Sequence, residues 1–462
     1  MSTFYLEQFG CRATQADGAA LQRQLLDRGC RQVSEAAEAD IVVLNTCTVT
    51  ASADVQARDA IRKLHAANPA VRLIVTGCYA QRAPEELTQL PGVAWVVGNS
   101  HKPQIPELVG ALSATLFPQN SGGFVSADSL FALPGSPDGA RENILRGDIF
   151  GHTTLLSAPV FVDRNHTRPT LKIQDGCDSR CSFCVIPFVR GRSRSLPPEK
   201  VLREIQLLAD QGYREIVLSG INLGTYGRDL SPGVEFETLL RRILGETSVE
   251  HLRISSIEPM DVTRDLIELF ASTNRLAQHF HMPLQSGCDR ILAAMHRWYR
   301  SEHYARRVEL IHELLPHAAI GADVIAGFPG ETEADHAATV SFIESLPFTY
   351  LHVFSYSKRP GTKAAALPSQ VPGAVIRRRA RELRALGEKK AAAFRQSQLG
   401  HSLRVLTLRR QDSDDSLWPD TTHGLSSNYL RVRVEATLDH NQWVEVQVSS
   451  EDSPFLVGTR VR

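Results

Sequence analysis

Apolar positions in the first hundred residues fall into short runs separated by amphipathic stretches. TFYLEQF (3–9), ADIVVLNT (39–46), VRLIVTG (71–77) and VAWVVG (93–98) are rich in β-branched and aromatic residues and read as strands. Between them, 17–28 and 52–66 carry the helical period. Strand–helix alternation predicts a parallel, Rossmann-like α/β sheet over 1–114. Residues 115–168 break the pattern with Gly, Ser and Pro, up to a strand-like APVFV at 158–162. They read as a linker with local structure. Alternation then resumes over 169–370. Strands are expected at 170–174, 214–219, 252–256, 279–283, 319–326 and 350–354, and helices at 198–211, 236–245, 262–273, 287–297, 302–315 and 333–345. Six βα units fall short of the eight of a closed barrel, so an open, partial (βα)6 barrel is expected. A basic helix at 371–398 completes this 169–398 domain. From 399 to 462 the period changes to two: SLRVLTLRR, YLRVRVEATL, QWVEVQVS and GTRVR suggest a small antiparallel β-barrel with an acidic, loop-like insertion at 411–416.

The candidate chemistry lies in the cysteines. Cys177, Cys181 and Cys184 fall within GCDSRCSFCVIPFVRGRSRS, among Gly, Asp, Ser and Arg rather than in an apolar cluster. A structural zinc site or a complete iron–sulfur cluster wants four protein ligands, and here the fourth is missing locally. Three ligands leave one metal position open, which is where a site performs chemistry. A zinc knuckle or a disulfide pair is the bland alternative. Cys11, Cys47 and Cys78 each follow a predicted strand of the N-terminal sheet. They are 36 and 31 residues apart, yet neighbouring parallel strands lie only about 4.8 Å apart. Their thiols are therefore placed to converge, the alternative being small core residues at strand ends. Cys30, near a helix end, and Cys288, remote from the others, read as packing residues.

Ends of the later strands carry polar or backbone-exposing residues. Ser219, Gly220 and Asn222 follow the second strand of the partial barrel, Ser255 closes the third and Gln285 follows the fourth. Around one predicted cavity they describe a cofactor pocket able to bond a ligand amino group.

Composition adds limits. Lys and Arg total 51 against 51 Asp and Glu, which argues against a surface wholly given to nucleic acid. A local track is still available: Arg377 to Arg410 holds eleven Lys or Arg against two Glu. That segment reads either as a solvated helix or as a surface for an RNA backbone. No run of about 18 apolar residues occurs and the opening MSTFYLEQFGCR lacks a signal-like pattern, so a cytoplasmic protein without a membrane partner is expected. Eight cysteines in such a setting favour metal or catalytic use over disulfides.

The C-x3-C-x2-C pattern, with Phe183 before its last cysteine, resembles the radical S-adenosylmethionine (SAM) superfamily. Over nearly the full chain, FGCRATQADG, NTCTVT, TGCYAQ and GCDSRCSFCVIPFVRGRSRS resemble the motifs of its methylthiotransferase family. The resemblance implies two [4Fe-4S] clusters, an auxiliary one on Cys11, Cys47 and Cys78 and a radical one on Cys177, Cys181 and Cys184. It implies SAM beside Phe183 and the strand-end residues, and a C-terminal TRAM domain, which binds RNA in many members. One SAM would methylate a sulfur and a second would generate the radical that activates a C–H bond. A tRNA substrate and an electron donor such as flavodoxin or ferredoxin are implied partners. GINLGTYGRDL, MPLQSGCDRILAAMHRWYR and HVFSYSKRPGTKA look most like the branch acting on N6-threonylcarbamoyladenosine beside the anticodon. Methylthiolation of N6-isopentenyladenosine in tRNA, or of a ribosomal-protein aspartate, is the alternative. Thr14 departs from the asparagine usual in the first motif.

Overall fold

A computed structural model of the chain describes residues 2–116, 143–153, 155–156, 167–409 and 420–461. The expected APVFV strand and the acidic insertion at 411–416 lie outside the described residues. The chain divides into two compact units, Met1–Val162 with Val185–Arg192, and Asp163–Cys184 with Ser193–Arg462.

In the first unit, strands β1 (Thr3–Gln8), β2 (Arg31–Gln32), β3 (Ile41–Thr46), β4 (Arg72–Gly77), β5 (Val93–Gly98) and β6 (Ile144–Leu145) form one sheet in the order β2-β1-β3-β4-β5-β6. Every ladder is parallel. Its central strands are uninterrupted apolar runs because both faces are covered. Val42, Leu44 and Val75 pack with Ile61 and Tyr79 on one side. Ile41, Val43 and Ile74 pack with Phe4, Leu21 and Val109 on the other. Two details differ from expectation. The first helix begins at Arg12, immediately after Cys11, rather than at residue 17. The expected linker supplies β6, which pairs with β5 through Ile144 and Leu145. A two-residue strand is too short to leave an alternating pattern. Residues Val185–Arg192, expected within the 169–398 domain, also cluster with this unit. Val185 and Val189 pack on Cys78, and Asn99 donates to the Val189 carbonyl at 2.7 Å.

The second unit starts with β7 (Thr170–Lys172), β8 (Gln174–Asp175) and β9 (Arg194–Ser195), then β10 (Glu215–Ser219), β11 (His251–Ile254), β12 (His279–His281), β13 (Ala319–Ala326) and β14 (Tyr350–Ser355). Two parallel three-stranded sheets, β11-β10-β7 and β12-β13-β14, meet at bridges between Leu252 and Leu276 and between Ser256 and His281. Together they form the open partial barrel of six strands. The helix Gly373–Gln396 packs on β14, with Gly387 against Leu351. Several of its cations are structural. Arg379 is buried on Glu331 at 2.7 Å, and Lys390 donates to the Glu344 and Leu346 carbonyls at 2.7 Å. Arg377, Arg381 and Arg384 remain exposed.

Strands β15 (Ser402–Thr407), β16 (Thr422–Ser426), β17 (Arg431–Val434), β18 (Trp443–Asp452) and β19 (Phe455–Arg460) close into a barrel. Its interior holds Val405, Val432, Val434, Val444, Val446 and Leu456. The expected small barrel is present, with every ladder antiparallel except β17 with β19. The barrel seats on the (βα)6 strands through a buried ionic group. Glu215 accepts from Arg253 at 2.9 and 3.0 Å and pairs with His251 at 2.9 Å, while Arg253 also donates to the Ser426 and Ser427 carbonyls at 3.1 Å. Burial opposes the Glu215 charge, but Arg253 and His251 overcome it and hold its carboxyl well below the usual range. Removing one partner of such a pair leaves a buried charge uncompensated. Glu215→Ala should therefore cost about 3–5 kcal/mol of stability, read from urea unfolding. A loss well under 1 kcal/mol would show that the group is not structurally coupled.

Candidate active site with two cysteine clusters

The ends of β1, β3 and β4 bring Cys11, Cys47 and Cys78 together. Gly10 and Gly77 make the approach possible. Gly10 has φ +116°, and a Cβ there would lie 2.5 Å from the Cys47 Cβ. Gly77 has φ +101°, and a Cβ would lie 2.2 Å from the Thr46 carbonyl oxygen. Neither contact admits a side chain. Cys11 is exposed, whereas Cys47 and Cys78 are buried. Burial and the neighbouring Cys78 and Cys11 push the Cys47 thiol up to about 12, and Arg190 opposes them. Thr14 is buried, with its hydroxyl 3.6 Å from Cys11 Sγ and 3.4 Å from Arg190 Nη2, so the departure from asparagine retains a polar contact. Beneath the thiols Asp17 accepts from Lys102 at 2.8 Å and Arg190 at 3.1 Å. All three side chains are nearly fully buried. Burial and the Arg190 charge pull the Lys102 ammonium below its ordinary range, against Asp17. Arg190 acts on Cys47 and Lys102 on Cys78, so both cations held by Asp17 lie within electrostatic reach of a cluster sulfur. That setting suits a thiolate-held metal cluster.

In the second unit, the loop between Cys181 and Cys184 is pinned through Ser182. Its N–H donates to Met295 O at 2.9 Å, its hydroxyl to Ala294 O at 2.8 Å, and its carbonyl accepts from Ala364 N at 2.8 Å. Cys177 Sγ accepts from Ser179 N at 3.4 Å, and Cys181 Sγ accepts from Arg297 Nη1 at 3.3 Å. Arg297 is buried and ion-paired with Glu258. Phe183 packs with Ile291, Met295, Phe328 and Ala364. Sulfurs with N–H donors and a guanidinium fit the three-thiolate end of a cluster.

Two of the strand-end residues, Gly220 and Asn222, contact the segment that leads into this loop. Gln174 ties them: its Nε2 donates to the Gly176 carbonyl at 2.8 Å, and its Oε1 accepts from Asn222 N at 2.9 Å. Gly220 lies against it, where a Cβ would meet Gln174 and Leu223 at 2.9–3.1 Å. Ser219 is buried and its carbonyl accepts from Ile173. Asn222 Oδ1 and Ser255 Oγ are buried with no hydrogen-bond partner among the described residues. Buried polar atoms left unmatched are costly unless a ligand satisfies them. Gln285 has φ +66° and bridges to β13, its N–H donating to Asp323 O at 2.8 Å. A carbonyl-type acceptor and a hydroxyl at adjacent strand ends fit the amino group of a SAM methionyl moiety.

Sequence reasoning singled out neither Arg297 with Glu258 nor Asp17 with Lys102 and Arg190. Arg190 stands inside the quoted VRGRSRS segment and Asp17 within FGCRATQADG, but nothing local announces that they pair. Cys288 donates to Asp335 at 3.2 Å, and Cys30 packs in the N-terminal core.

An open (βα)6 barrel with a C-x3-C-x2-C loop defines a radical SAM enzyme, and the radical SAM superfamily model matches residues 171–343. Uncharacterized protein family UPF0004 matches residues 3–98. Threonylcarbamoyladenosine tRNA methylthiotransferase MtaB of Aquifex aeolicus is 35% identical, covering 96% of this chain and 99% of that protein. MtaB of Bacillus subtilis is 34% identical over 100% of this chain and 97% of that protein. The tRNA-2-methylthio-N(6)-dimethylallyladenosine synthase of Syntrophobacter fumaroxidans is 36% identical over 82% of this chain and 78% of its own length. Among solved structures, the radical SAM methyltransferase TsrM of Kitasatospora setae superposes with a TM-score of 0.55 at 18% identity, covering 79% of this chain and 75% of that one, a likeness of fold. The chain belongs to the radical SAM methylthiotransferase family, and its cofactors are SAM and two [4Fe-4S] clusters.

Exposure predicts the order of thiol reactivity in metal-free protein. At pH 8, Cys11 should alkylate with iodoacetamide at least about tenfold faster than Cys47, as mapped by peptide mass spectrometry. Equal rates would mean that the pocket around Cys47 is open.

Proposed function

We propose that the protein is a tRNA methylthiotransferase acting at carbon 2 of N6-threonylcarbamoyladenosine beside the anticodon. In this reading it works in the cytoplasm with an electron donor such as flavodoxin or ferredoxin. The observation that carries the reading is full-length similarity to two MtaB enzymes together with two separate three-cysteine sites. Cys11, Cys47 and Cys78 hold the auxiliary cluster, and Cys177, Cys181 and Cys184 the radical one. When bound, these groups and SAM supply methylthio transfer and homolytic activation of a C–H bond that acid–base chemistry cannot reach.

The chain's own residues then have distinct tasks. Arg297 compensates sulfur charge at the radical site, and Gln174 fixes the loop geometry before Cys177. Asn222 Oδ1 and Ser255 Oγ, buried without a partner among the described residues, would accept from the amino group of SAM when it is bound. Phe183 closes the apolar side of the cysteine loop. Arg190 and Lys102 offset sulfur charge at the auxiliary site. Exposed Arg377, Arg381 and Arg384, with the C-terminal barrel, offer charge and surface to an RNA backbone. The dimethylallyladenosine branch is the competing reading, carried by the Syntrophobacter relative.

The test is nucleoside mass spectrometry on tRNA from cells lacking their own methylthiotransferases and expressing this protein. The expected product is 2-methylthio-N6-threonylcarbamoyladenosine. Only the isopentenyl product would replace the branch assignment. With reconstituted protein, Ala at Cys177, Cys181 or Cys184 should abolish 5′-deoxyadenosine formation. Ala at Cys11, Cys47 or Cys78 should stop methylthiolation while SAM cleavage persists. Methylthiolated product from the latter variants would remove them from the reaction.

A further inference from the structure

The second half of the open barrel carries a polar face whose groups the reaction above does not use. Strands β12, β13 and β14 run parallel, with His281 beside Gly321, Gly321 beside Tyr350, and Asp323 beside His352. Gly321 makes room there, since a Cβ would lie 2.0 Å from the Tyr350 ring. That opening lets the Tyr350 hydroxyl reach His279 Nε2 at 2.7 Å and His281 Nδ1 at 2.9 Å. His281 Nε2 meets Asp323 Oδ1 at 2.9 Å, and His352 Nδ1 lies 3.3 Å from the same oxygen. A continuous chain of polar contacts thus runs from buried His279 to His352, whose side chain is 53% exposed. Two residues further along the same face of β14, Phe354 is 43% exposed.

Three of these groups, His281, Asp323 and His352, offer ligand-type atoms within 4.8 Å of one another. In this arrangement those atoms are engaged with each other, which favours an oriented hydrogen-bonding device over a metal site. Asp323 is half-buried on β13, and burial works against its charge. Hydrogen bonds from His281 and His352 win and hold its carboxyl below the ordinary range. Asp323 accepts at the Nδ1 side of His352, so in its protonated form the imidazole keeps Nε2–H as the donor left for a ligand.

This face adjoins the radical site within the same unit. Gln285 N–H bonds the Asp323 carbonyl, and Glu258, the partner of Arg297 at Cys181, senses the charge of Asp323. Burial pushes the Glu258 carboxyl up, Arg297 opposes, and Asp323 adds to the push. His352 also stands in HVFSYSKRPGTKA, a segment on which the resemblance to the threonylcarbamoyl branch rests.

We propose that His352 is a specificity-determining residue that binds the carboxylate of the N6-threonylcarbamoyl group. Asp323 and His281 are its positioning residues, and Phe354 is the apolar wall beside it. The inference rests on the function proposed above and adds the residue that selects the substituent. An isopentenyl group offers no acceptor to the imidazole edge, so binding it would desolvate that edge without compensation. Sites built around a polar contact discriminate strongly against analogues that lack the partner.

The experiment uses the reconstituted full chain and an anticodon stem–loop RNA carrying N6-threonylcarbamoyladenosine, either as the free acid or as its methyl ester. Wild type should prefer the acid by about tenfold or more in kcat/KM. His352→Ala should bring the acid-to-ester ratio near one, mainly through KM for the acid. His352→Arg, which restores a cationic donor, should recover the preference. An unchanged ratio in His352→Ala, with wild type active on the acid, would overturn the role of His352 and leave the branch assignment standing. Wild type active only on an isopentenyladenosine loop would overturn the branch assignment and this inference with it.

Discussion

Burying sulfur near charge without leaving it uncompensated is the constraint on which the rest of the structure depends. A thiolate taken out of water needs a cation or a set of N–H donors within reach. Both three-cysteine sites solve this with a buried arginine that is itself held by a buried carboxylate. At the N-terminal site Arg190 rests on Asp17, with Lys102 as a second cation; at the loop site Arg297 rests on Glu258. The carboxylate in each case makes it feasible to bury the guanidinium, which then serves the sulfurs. Removing either acid would leave a buried cation facing an empty partner, and the penalty would fall on the fold as well as on the site.

Buried charge is used again where the C-terminal barrel meets the second unit. Glu215 lies at the start of β10 and draws Arg253 and His251 from β11, and Arg253 in turn satisfies carbonyls of Ser426 and Ser427. Each group is hydrogen-bonded more than once, which is the condition under which a buried ionic cluster is tolerable. His251 also meets Trp443 edge to face, and Arg404 sits over the Trp443 ring at 4.4 Å. A polar seat of this kind specifies one docking geometry, because sliding the barrel would strand several charges together.

The sequence made the parallel strands legible because central strands covered on both faces are long apolar runs, as in IVVL and LIV. The cysteines were legible for a related reason: strand ends are where parallel sheets gather functional groups, and three thiols occupied equivalent ends. What escaped was set by distance along the chain. Asp17 and Arg190 are 173 residues apart, and Glu258 and Arg297 are 39 apart. Local patterning carries no record of such pairs. Short β6 escaped because two residues cannot show a period. The basic helix illustrates the converse case: its charge count was visible, but only packing shows that Arg379 and Lys390 serve the fold while Arg377 and Arg381 face outward.

The two halves of the open barrel also divide the labour. Two of the buried polar atoms without a partner among the described residues, Asn222 Oδ1 and Ser255 Oγ, stand at the ends of β10 and β11, in the sheet that includes β7 before the cysteine loop. The histidine-rich face belongs to β12, β13 and β14 in the other sheet. A six-stranded barrel leaves β14 as an edge, whereas an eight-stranded one would cover it. That edge is where His352 and Phe354 are exposed. On the two proposals above, the cofactor-facing Asn222 and Ser255 and the substituent-facing His352 sit on separate sheets, with Gln285 between them at the end of β12. In that reading, substitutions on β14 alter the preferred adenosine substituent without rebuilding the strand ends at Asn222 and Ser255.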